Sequence, residues 1–139
     1  ALRKAIESRP LLIKPNFDEI SELFGIEFTS KEEIIPYGKK CLDMGAQYAI
    51  VSMGGDGALF FDGDNVYYAP AVKGVLVNSV GAGDSMLAGF VGSIKSGLEP
   101  IEAFKWSVAS GTGTAFCQDI ATKDQIDEIY KKIKIEKLS

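Results

Sequence analysis

Residues 81–84 read Gly-Ala-Gly-Asp, and the chain after them has helical character as far as Ser96 and Gly97. Glycines let the backbone turn tightly, so that several N–H groups meet at the positive end of the helix. That arrangement favours an anion such as a phosphoryl group in transfer. Asp84 would repel an anion unless it accepts a proton from an attacking hydroxyl, so the segment predicts a phosphoryl-transfer site. The alternative is that Asp84 is an ordinary N-cap in a glycine loop.

A second glycine loop comes directly after the apolar run 48–51, which we expect to be a buried strand. The loop consists of Ser52, Met53, Gly54, Gly55, Asp56 and Gly57. Its backbone N–H groups can wrap nucleotide phosphates or ribose, and the alternative is a tight turn into the next strand. The pattern Gly-x-x-x-x-Gly-Lys-Ser/Thr is absent from the chain, which excludes a P-loop enzyme.

A third candidate is Asn16-x-x-Glu19, which follows a short apolar run at residues 11–13 and the dipeptide Lys14-Pro15. The spacing places an amide and a carboxylate on one face at the start of a helix. Together these groups can hold the water shell of a magnesium ion, which prefers oxygen ligands. The alternative is a helix cap followed by a first-turn acid.

The order of strands and helices predicts an α/β fold with one antiparallel excursion. Strands are expected at residues 11–13, 48–51 and 74–77, with a hairpin from 58–61 to 66–68. Helices are expected from Asn16 to Gly25, from Ser30 (with a capping box to Glu33) to Met44, from Asp84 to Gly97, from Pro100 towards Phe116, and from Asp124 to about Lys134. In open α/β sheets ligands bind where strands end, and two of the three candidate turns lie at such ends.

Composition excludes several classes of protein. The 139 residues carry a net charge of −4 and include no histidine, which removes Ser-His-Asp and Cys-His catalysis and the commonest zinc ligand. The acidic balance argues against nucleic acid as a partner, and the longest apolar runs are too short to cross a membrane. Two cysteines, Cys41 and Cys117, are too few for a disulfide scaffold, so we expect a reducing cytoplasm.

The three candidate segments occur together in an order and placement that resemble a known family. Asn16-x-x-Glu19, the glycine loop at 52–57 and the stretch 78–86 (Asn-Ser-Val-Gly-Ala-Gly-Asp-Ser-Met) are similar to motifs of the PfkB (ribokinase-like) carbohydrate kinases. The stretches LLIKPN and NSVGAGDSMLAGF resemble most closely the branch that phosphorylates sugar phosphates such as fructose 1-phosphate and tagatose 6-phosphate. The resemblance covers essentially the whole chain and implies part of a ribokinase-like three-layer α/β/α fold.

The resemblance also implies a role for each segment. Asp84 would be the catalytic base that draws the proton from the attacking sugar hydroxyl, and Gly81, Ala82 and Gly83 would supply the anion hole. Residues 52–57, together with Gly83 and Asp84, would contact ATP. The remaining implied contacts are Asn16 and Glu19 for Mg²⁺ and phosphates, Lys14 for a phosphate, and Val108 and Gly111 for the adenine.

Members of the family are about twice as long as this chain, and the resemblance is to their C-terminal part. We therefore expect residues 1–139 to be a single nucleotide-binding domain, with the N-terminal lid and most sugar-phosphate contacts absent. Catalysis requires both reactants to be held in line, so the chain alone should be inactive or nearly so. Fructose 1-phosphate is the first expected substrate and tagatose 6-phosphate the second, and a homodimer is possible.

Two other interpretations of the sequence stay open. One is a non-catalytic nucleotide-binding module, such as a regulatory half-domain. The other is an aggregation-prone piece in which strands such as residues 11–13 are exposed.

Overall fold

A computed structural model describes residues 8–53, 57–63, 65–70, 82–116 and 123–138. The strands are β1 (Leu12–Ile13), β2 (Tyr48–Ser52), β3 (Ala58–Asp62), β4 (Asn65–Ala69) and β5 (Glu136–Lys137). The helices are α1 (Phe17–Phe24), α2 (Lys31–Asp43), α3 (Ala82–Lys95), α4 (Pro100–Phe116) and α5 (Lys123–Lys132). The predicted elements on described residues are present, whereas the strand expected at 74–77 lies outside them. None of the described helices is both long enough and apolar enough to cross a membrane.

The chain divides into two compact units, one of residues 1–68 with 136–139 and the other of residues 69–135. The first unit contains a five-stranded sheet in the order β1-β2-β3-β4-β5. β1 runs parallel to β2, whereas β2 with β3 and β4 with β5 are antiparallel. This is the predicted α/β arrangement with an antiparallel excursion. β5 was not predicted, because two exposed charged residues carry no strand signal.

The core of the first unit lies between the sheet and the helices α1 and α2. Its buried side chains are Ile13, Ile20, Phe28, Ile34, Cys41, Ala46, Ala49, Val51, Leu59, Phe61 and Val66. Ile50 and Phe60, which alternate with these residues along β2 and β3, are also fully buried. Because both faces of β2 are covered, its sequence is a continuous apolar run rather than an alternating one.

The strand expected at residues 11–13 is present as β1, and the alternative in which this strand is exposed is wrong for Leu12 and Ile13. Leu12 and Ile13 are only 7% and 4% exposed. β1 pairs in parallel with β2, so that Leu12 lies opposite Tyr48 and Ile13 lies opposite Ala49. These two side chains therefore do not form an exposed apolar patch.

The predicted capping box between Ser30 and Glu33 is also wrong. Ser30 is the N-cap residue of α2, but its side chain makes no capping hydrogen bond. Instead, Glu33 Oε2 accepts a hydrogen bond from the Thr29 backbone N–H at 2.6 Å and from Thr29 Oγ1 at 3.0 Å. Thr29 offers two donors to one carboxylate oxygen, and these bonds lower the pKa of Glu33.

Among described residues, the second unit consists mainly of α3, α4 and α5. A side chain at Gly89 would place its Cβ 2.8 Å from Ser110 Oγ, so glycine permits the close approach of α3 to α4. Ser107, which is fully buried, donates its hydroxyl to the Met86 carbonyl across this interface at 2.6 Å. On the other side of α4, the Trp106 ring stacks on Tyr130 of α5 with centroids 4.0 Å apart.

Candidate functional site

The ends of β1 and β2 lie side by side. Asn16 and Ser52 form an isolated parallel bridge that continues the register in which Leu12 lies opposite Tyr48. The Ser52 backbone N–H donates to the Pro15 carbonyl at 3.1 Å, which fixes the two strand ends together. The structure therefore brings together two of the three segments that the sequence singled out.

Asn16 and Glu19 form a reciprocal capping box at the start of α1. Asn16 Oδ1 accepts the Glu19 backbone N–H at 2.8 Å, and Glu19 Oε1 accepts the Asn16 backbone N–H at 3.1 Å. Both side chains are exposed. The predicted cap is confirmed, and it holds the amide and the carboxylate in one place beside Ser52.

The glycine loop after β2 is closed at its two ends. The Met53 N–H donates to the Gly57 carbonyl at 2.8 Å. Gly57 has a φ angle of 96°, a backbone conformation that residues other than glycine rarely adopt. Gly54, Gly55 and Asp56 lie outside the described residues, so the structure places the ends of the loop and not its tip.

A cleft of about 460 Å³ opens next to these two strand ends. Its lining residues are Phe17, Thr29, Ser30, Lys31, Glu32, Met53 and Tyr68. Phe17 and Met53 directly follow Asn16 and Ser52, so the cleft adjoins the bridge between the strands. Sequence reasoning missed this cleft, because its walls come from four separate segments without a common motif.

The one lysine that lines the cleft is already engaged. Lys31 Nζ lies 3.3 Å from a Glu32 carboxylate oxygen and 4.7 Å from the centre of the Tyr68 ring. The pKa of Glu32 is lowered, chiefly by a hydrogen bond from its own backbone and then by its hydrogen bond with Lys31. The cleft therefore presents a paired charge to a ligand rather than a bare cation.

The Gly-Ala-Gly-Asp segment lies at the start of α3, as predicted. α3 begins at Ala82, so Gly83 and Asp84 belong to its first turn. Gly81 lies outside the described residues, as do the side chains of Ala82 and Asp84. This segment belongs to the second unit, where it forms the N-terminal end of α3.

The weaker sequence candidates occupy three different positions. Lys14 is half-buried in the short segment between β1 and Asn16. Val108 is 6% exposed in α4, where it contributes to the packing of the second unit. Gly111 belongs to the same helix, but its surroundings lie outside the described residues.

Within the described ranges, no three Cys, Asp or Glu side chains cluster in a way that would hold a metal ion. Magnesium does not need such a cage, since it usually binds one or two carboxylates, water and the phosphates of a substrate. Glu19 offers one exposed carboxylate at the strand ends, and Asn16 an amide beside it. These donors fit a magnesium ion that arrives with phosphate.

Comparison with known proteins identifies the family. A family model described as pfkB family carbohydrate kinase matches residues 1–126. The chain belongs to the PfkB family of carbohydrate kinases. The predicted ribokinase-like α/β fold is thereby confirmed.

Relatives of this PfkB chain act on sugar phosphates according to their names. It is 49% identical over 138 residues to 1-phosphofructokinase of Bacillus subtilis, a match that covers 99% of the chain and 46% of that protein. It is 39% identical over 138 residues to D-tagatose-1-phosphate kinase of Bacillus licheniformis, covering 99% and 45%. The chain thus spans slightly less than half the length of these curated relatives.

A solved structure shows the same fold. A crystal structure from Staphylococcus aureus, described as that of a candidate phosphofructokinase, matches with a TM-score of 0.94 and 43% identity. The match covers 99% of the PfkB chain and 45% of the solved one. The fold described here therefore corresponds to slightly less than half of that solved chain.

Proposed function

We propose that this chain supplies the ATP site and the catalytic base of a kinase that phosphorylates a hydroxyl of a ketose phosphate. One observation carries the proposal: Asn16 and Ser52, from two separate PfkB motifs, adjoin each other at the ends of parallel strands. Ligands of open α/β folds bind at that edge of the sheet.

In this proposal the chemistry belongs to the start of α3. Asp84 accepts the proton of the attacking hydroxyl, and the N–H groups of Gly81, Ala82 and Gly83 stabilise the charge on the phosphoryl group. The beginning of a helix at Ala82 supports this assignment, because free N–H groups and the helix dipole favour an anion there.

The nucleotide is bound by the strand-end segments. Residues 52–57 contact ATP, Lys14 binds a phosphate, and Val108 and Gly111 lie near the adenine. Asn16 and Glu19 organise magnesium and the phosphates. When bound, magnesium neutralises part of the charge that develops on the phosphates.

Fructose 1-phosphate is the first proposed substrate, supported by the 49% identity to a 1-phosphofructokinase. Tagatose 6-phosphate is the second, and the name of the Bacillus licheniformis relative adds tagatose 1-phosphate to the substrates to be assayed. The chain alone should have little or no activity, since it spans less than half of its relatives. A homodimer and a cytoplasmic location stay predictions.

The experiment is a calorimetric titration of the 139-residue chain with ATP and Mg²⁺. We expect saturable binding that is weakened by Gly83→Leu in the first turn of α3. Gly92→Leu is the matched control, because position 92 of the same helix has open space around it. A kinase assay with fructose 1-phosphate follows on a longer polypeptide that includes the part found in the relatives.

Two results would contradict the proposal. A folded, monodisperse chain that binds no ATP would show that it does not form a nucleotide half-site. ATP binding combined with no turnover by the longer polypeptide on any ketose phosphate would favour a non-catalytic nucleotide-binding module.

A further inference from the structure

Lys31 carries the one positive charge among the described residues that line the cleft. Its side chain is 32% exposed, and its ammonium group lies 4.7 Å from the centre of the Tyr68 ring. A cation over the face of a tyrosine ring is attracted to the ring electrons. Tyr68 is itself held in place, because it packs against the core and lies opposite Glu136 of β5. The ammonium group of Lys31 is therefore kept at the wall of the cleft.

The ion pair between Lys31 and Glu32 leaves this ammonium group open to exchange. The distance from Nζ to Oε1 is 3.3 Å, and the Glu32 side chain is 64% exposed. Exposed pairs of this kind contribute little to stability, because water and salt screen them. A lysine ammonium also has three donors, so it can bind a second anion while it keeps its contact with Glu32. Lys31 is thus available to an anionic group that enters the cleft.

Helix stability does not account for a lysine at this position. Lys31 is the first residue of α2, where the helix dipole disfavours a cation. The two acidic residues of the same turn, Glu32 and Glu33, carry the charge that the dipole favours there. At the other end of α2, Lys40 lies in the last turn, where a cation is stabilising. Of these two lysines, only Lys40 is placed where it supports the helix.

The cleft lies beside the segments to which the proposed function assigns the nucleotide phosphates. Phe17 and Met53 of its lining directly follow Asn16 and Ser52. We propose that Lys31 is a phosphate-binding residue, whose Nζ donates a hydrogen bond to a phosphate group of a reactant bound at these strand ends. The inference rests on the proposed function and adds to it a cation that none of the three sequence motifs contains. The phosphate belongs either to ATP or to the ketose phosphate, and separate titrations distinguish these two sources.

Calorimetric titration of the 139-residue chain with ATP and Mg²⁺, and separately with fructose 1-phosphate, tests this role. Lys31→Met removes the charge and keeps a flexible apolar side chain beside the Tyr68 ring. Lys40→Met is the matched control, because Lys40 Nζ also lies 4.7 Å from the centre of a tyrosine ring, that of Tyr37. We expect Lys31→Met to lose about tenfold in affinity for the ligand whose phosphate it binds. Lys40→Met should keep the affinity of the wild type.

Further variants separate a phosphate contact from a change in the shape of the cleft. Glu32→Gln removes the competing carboxylate and should raise the affinity roughly two- to fivefold. Tyr68→Phe keeps the ring beside the ammonium group and should keep the affinity, whereas Tyr68→Leu should lose part of it. Added salt should weaken binding by the wild type more than binding by Lys31→Met, since the variant has one charge fewer to be screened. The thermal unfolding midpoint of each variant is measured beside its affinity.

The opposite results overturn the inference. Wild-type affinity for both ligands in Lys31→Met would show that Lys31 binds no phosphate, and the proposed function would still stand. Equal losses in Lys31→Met and Lys40→Met would reflect the net charge of the chain rather than a contact. Lower affinity in Glu32→Gln would show that the carboxylate, and not the ammonium group, faces the ligand. A wild type that binds neither ligand refutes the proposed function and this inference with it.

Discussion

Gly38 of α2 packs so closely on the ring of Phe61 in β3 that a Cβ at position 38 would overlap the ring atoms. Both residues are buried in the core of the first unit. This contact sets the distance between α2 and the sheet. α2 also supplies Lys31 and Glu32 to the cleft, so the packing at Gly38 helps to define that wall.

Gly38→Ala should therefore destabilise the chain, although alanine is the better helix former. Overpacking of a filled core costs about 1–3 kcal/mol. Urea unfolding measures the loss. Gly92→Ala is the control, because that helical glycine faces open space and alanine should stabilise it by about 0.5–1 kcal/mol. Equal effects at both positions would mean that the Phe61 ring does not limit the approach of α2.

Gly57, at the end of the glycine loop that follows β2, can be compared with a glycine outside the proposed site. Gly57 and Gly97 have similar positive φ angles of 96° and 89°. Alanine at either position should cost roughly 1–2 kcal/mol of stability, because the left-handed region is strained for a side chain. Only Gly57→Ala should also weaken ATP binding in the calorimetric titration, since only Gly57 closes the proposed loop. Equal affinity in both variants would remove the loop from the nucleotide site.

Acid should weaken the contact between Glu33 and Thr29. The Thr29 backbone N–H, and then its hydroxyl, lower the pKa of Glu33 below its usual value of 4.5. A group with a lowered folded-state pKa stabilises the fold above the unfolded-state value, and this stabilisation is lost as the pH falls through the folded-state pKa. The wild type should therefore exceed Glu33→Gln in stability near neutral pH, and the difference should shrink below about pH 4.5.

Urea unfolding at several pH values tests this dependence. Glu27→Gln, which removes an exposed carboxylate from the loop between α1 and α2, controls for the change in net charge. If the difference between wild type and Glu33→Gln is the same at acid and neutral pH, the Thr29 contact contributes no pH-dependent stability.

Much of this fold follows from local signals in the sequence. Asn16 with Glu19 marks the start of α1, and Pro100 marks the start of α4, because capping and a fixed φ act within one turn. The prediction of a capping box at Ser30 was wrong because Thr29 offers Glu33 two hydrogen-bond donors. The sequence pattern does not show which of two neighbouring hydroxyl residues the glutamate will bind. β5 could not be predicted, since its pairing with β4 depends on how a distant segment returns to the sheet.

The candidate site also has a part that the sequence predicted and a part that it missed. The sequence placed Asn16 and Ser52 after two predicted strands, but it did not predict that the two residues meet. They meet because β1 and β2 are adjacent and parallel, so that both strands end at one edge of the sheet. The cleft lined by Phe17, Met53 and Tyr68 was missed, because its walls form only when separate segments pack together.

Asp84→Asn tests the proposed chemistry most directly. If Asp84 is the catalytic base, the longer kinase should lose about 10²–10⁴-fold in turnover, as enzymes do when a general base is removed. The 139-residue chain should at the same time keep or improve its affinity for ATP, because a negative charge next to the phosphates has been removed.

Asp124→Asn is the matched control for this substitution, since Asp124 occupies the first turn of another helix, α5, and carries the same charge. It should leave both ATP affinity and turnover unchanged. Turnover that survives Asp84→Asn would assign the proton transfer to another group. Lost ATP affinity together with lost turnover would mean that Asp84 builds the nucleotide site rather than acting on the attacking hydroxyl.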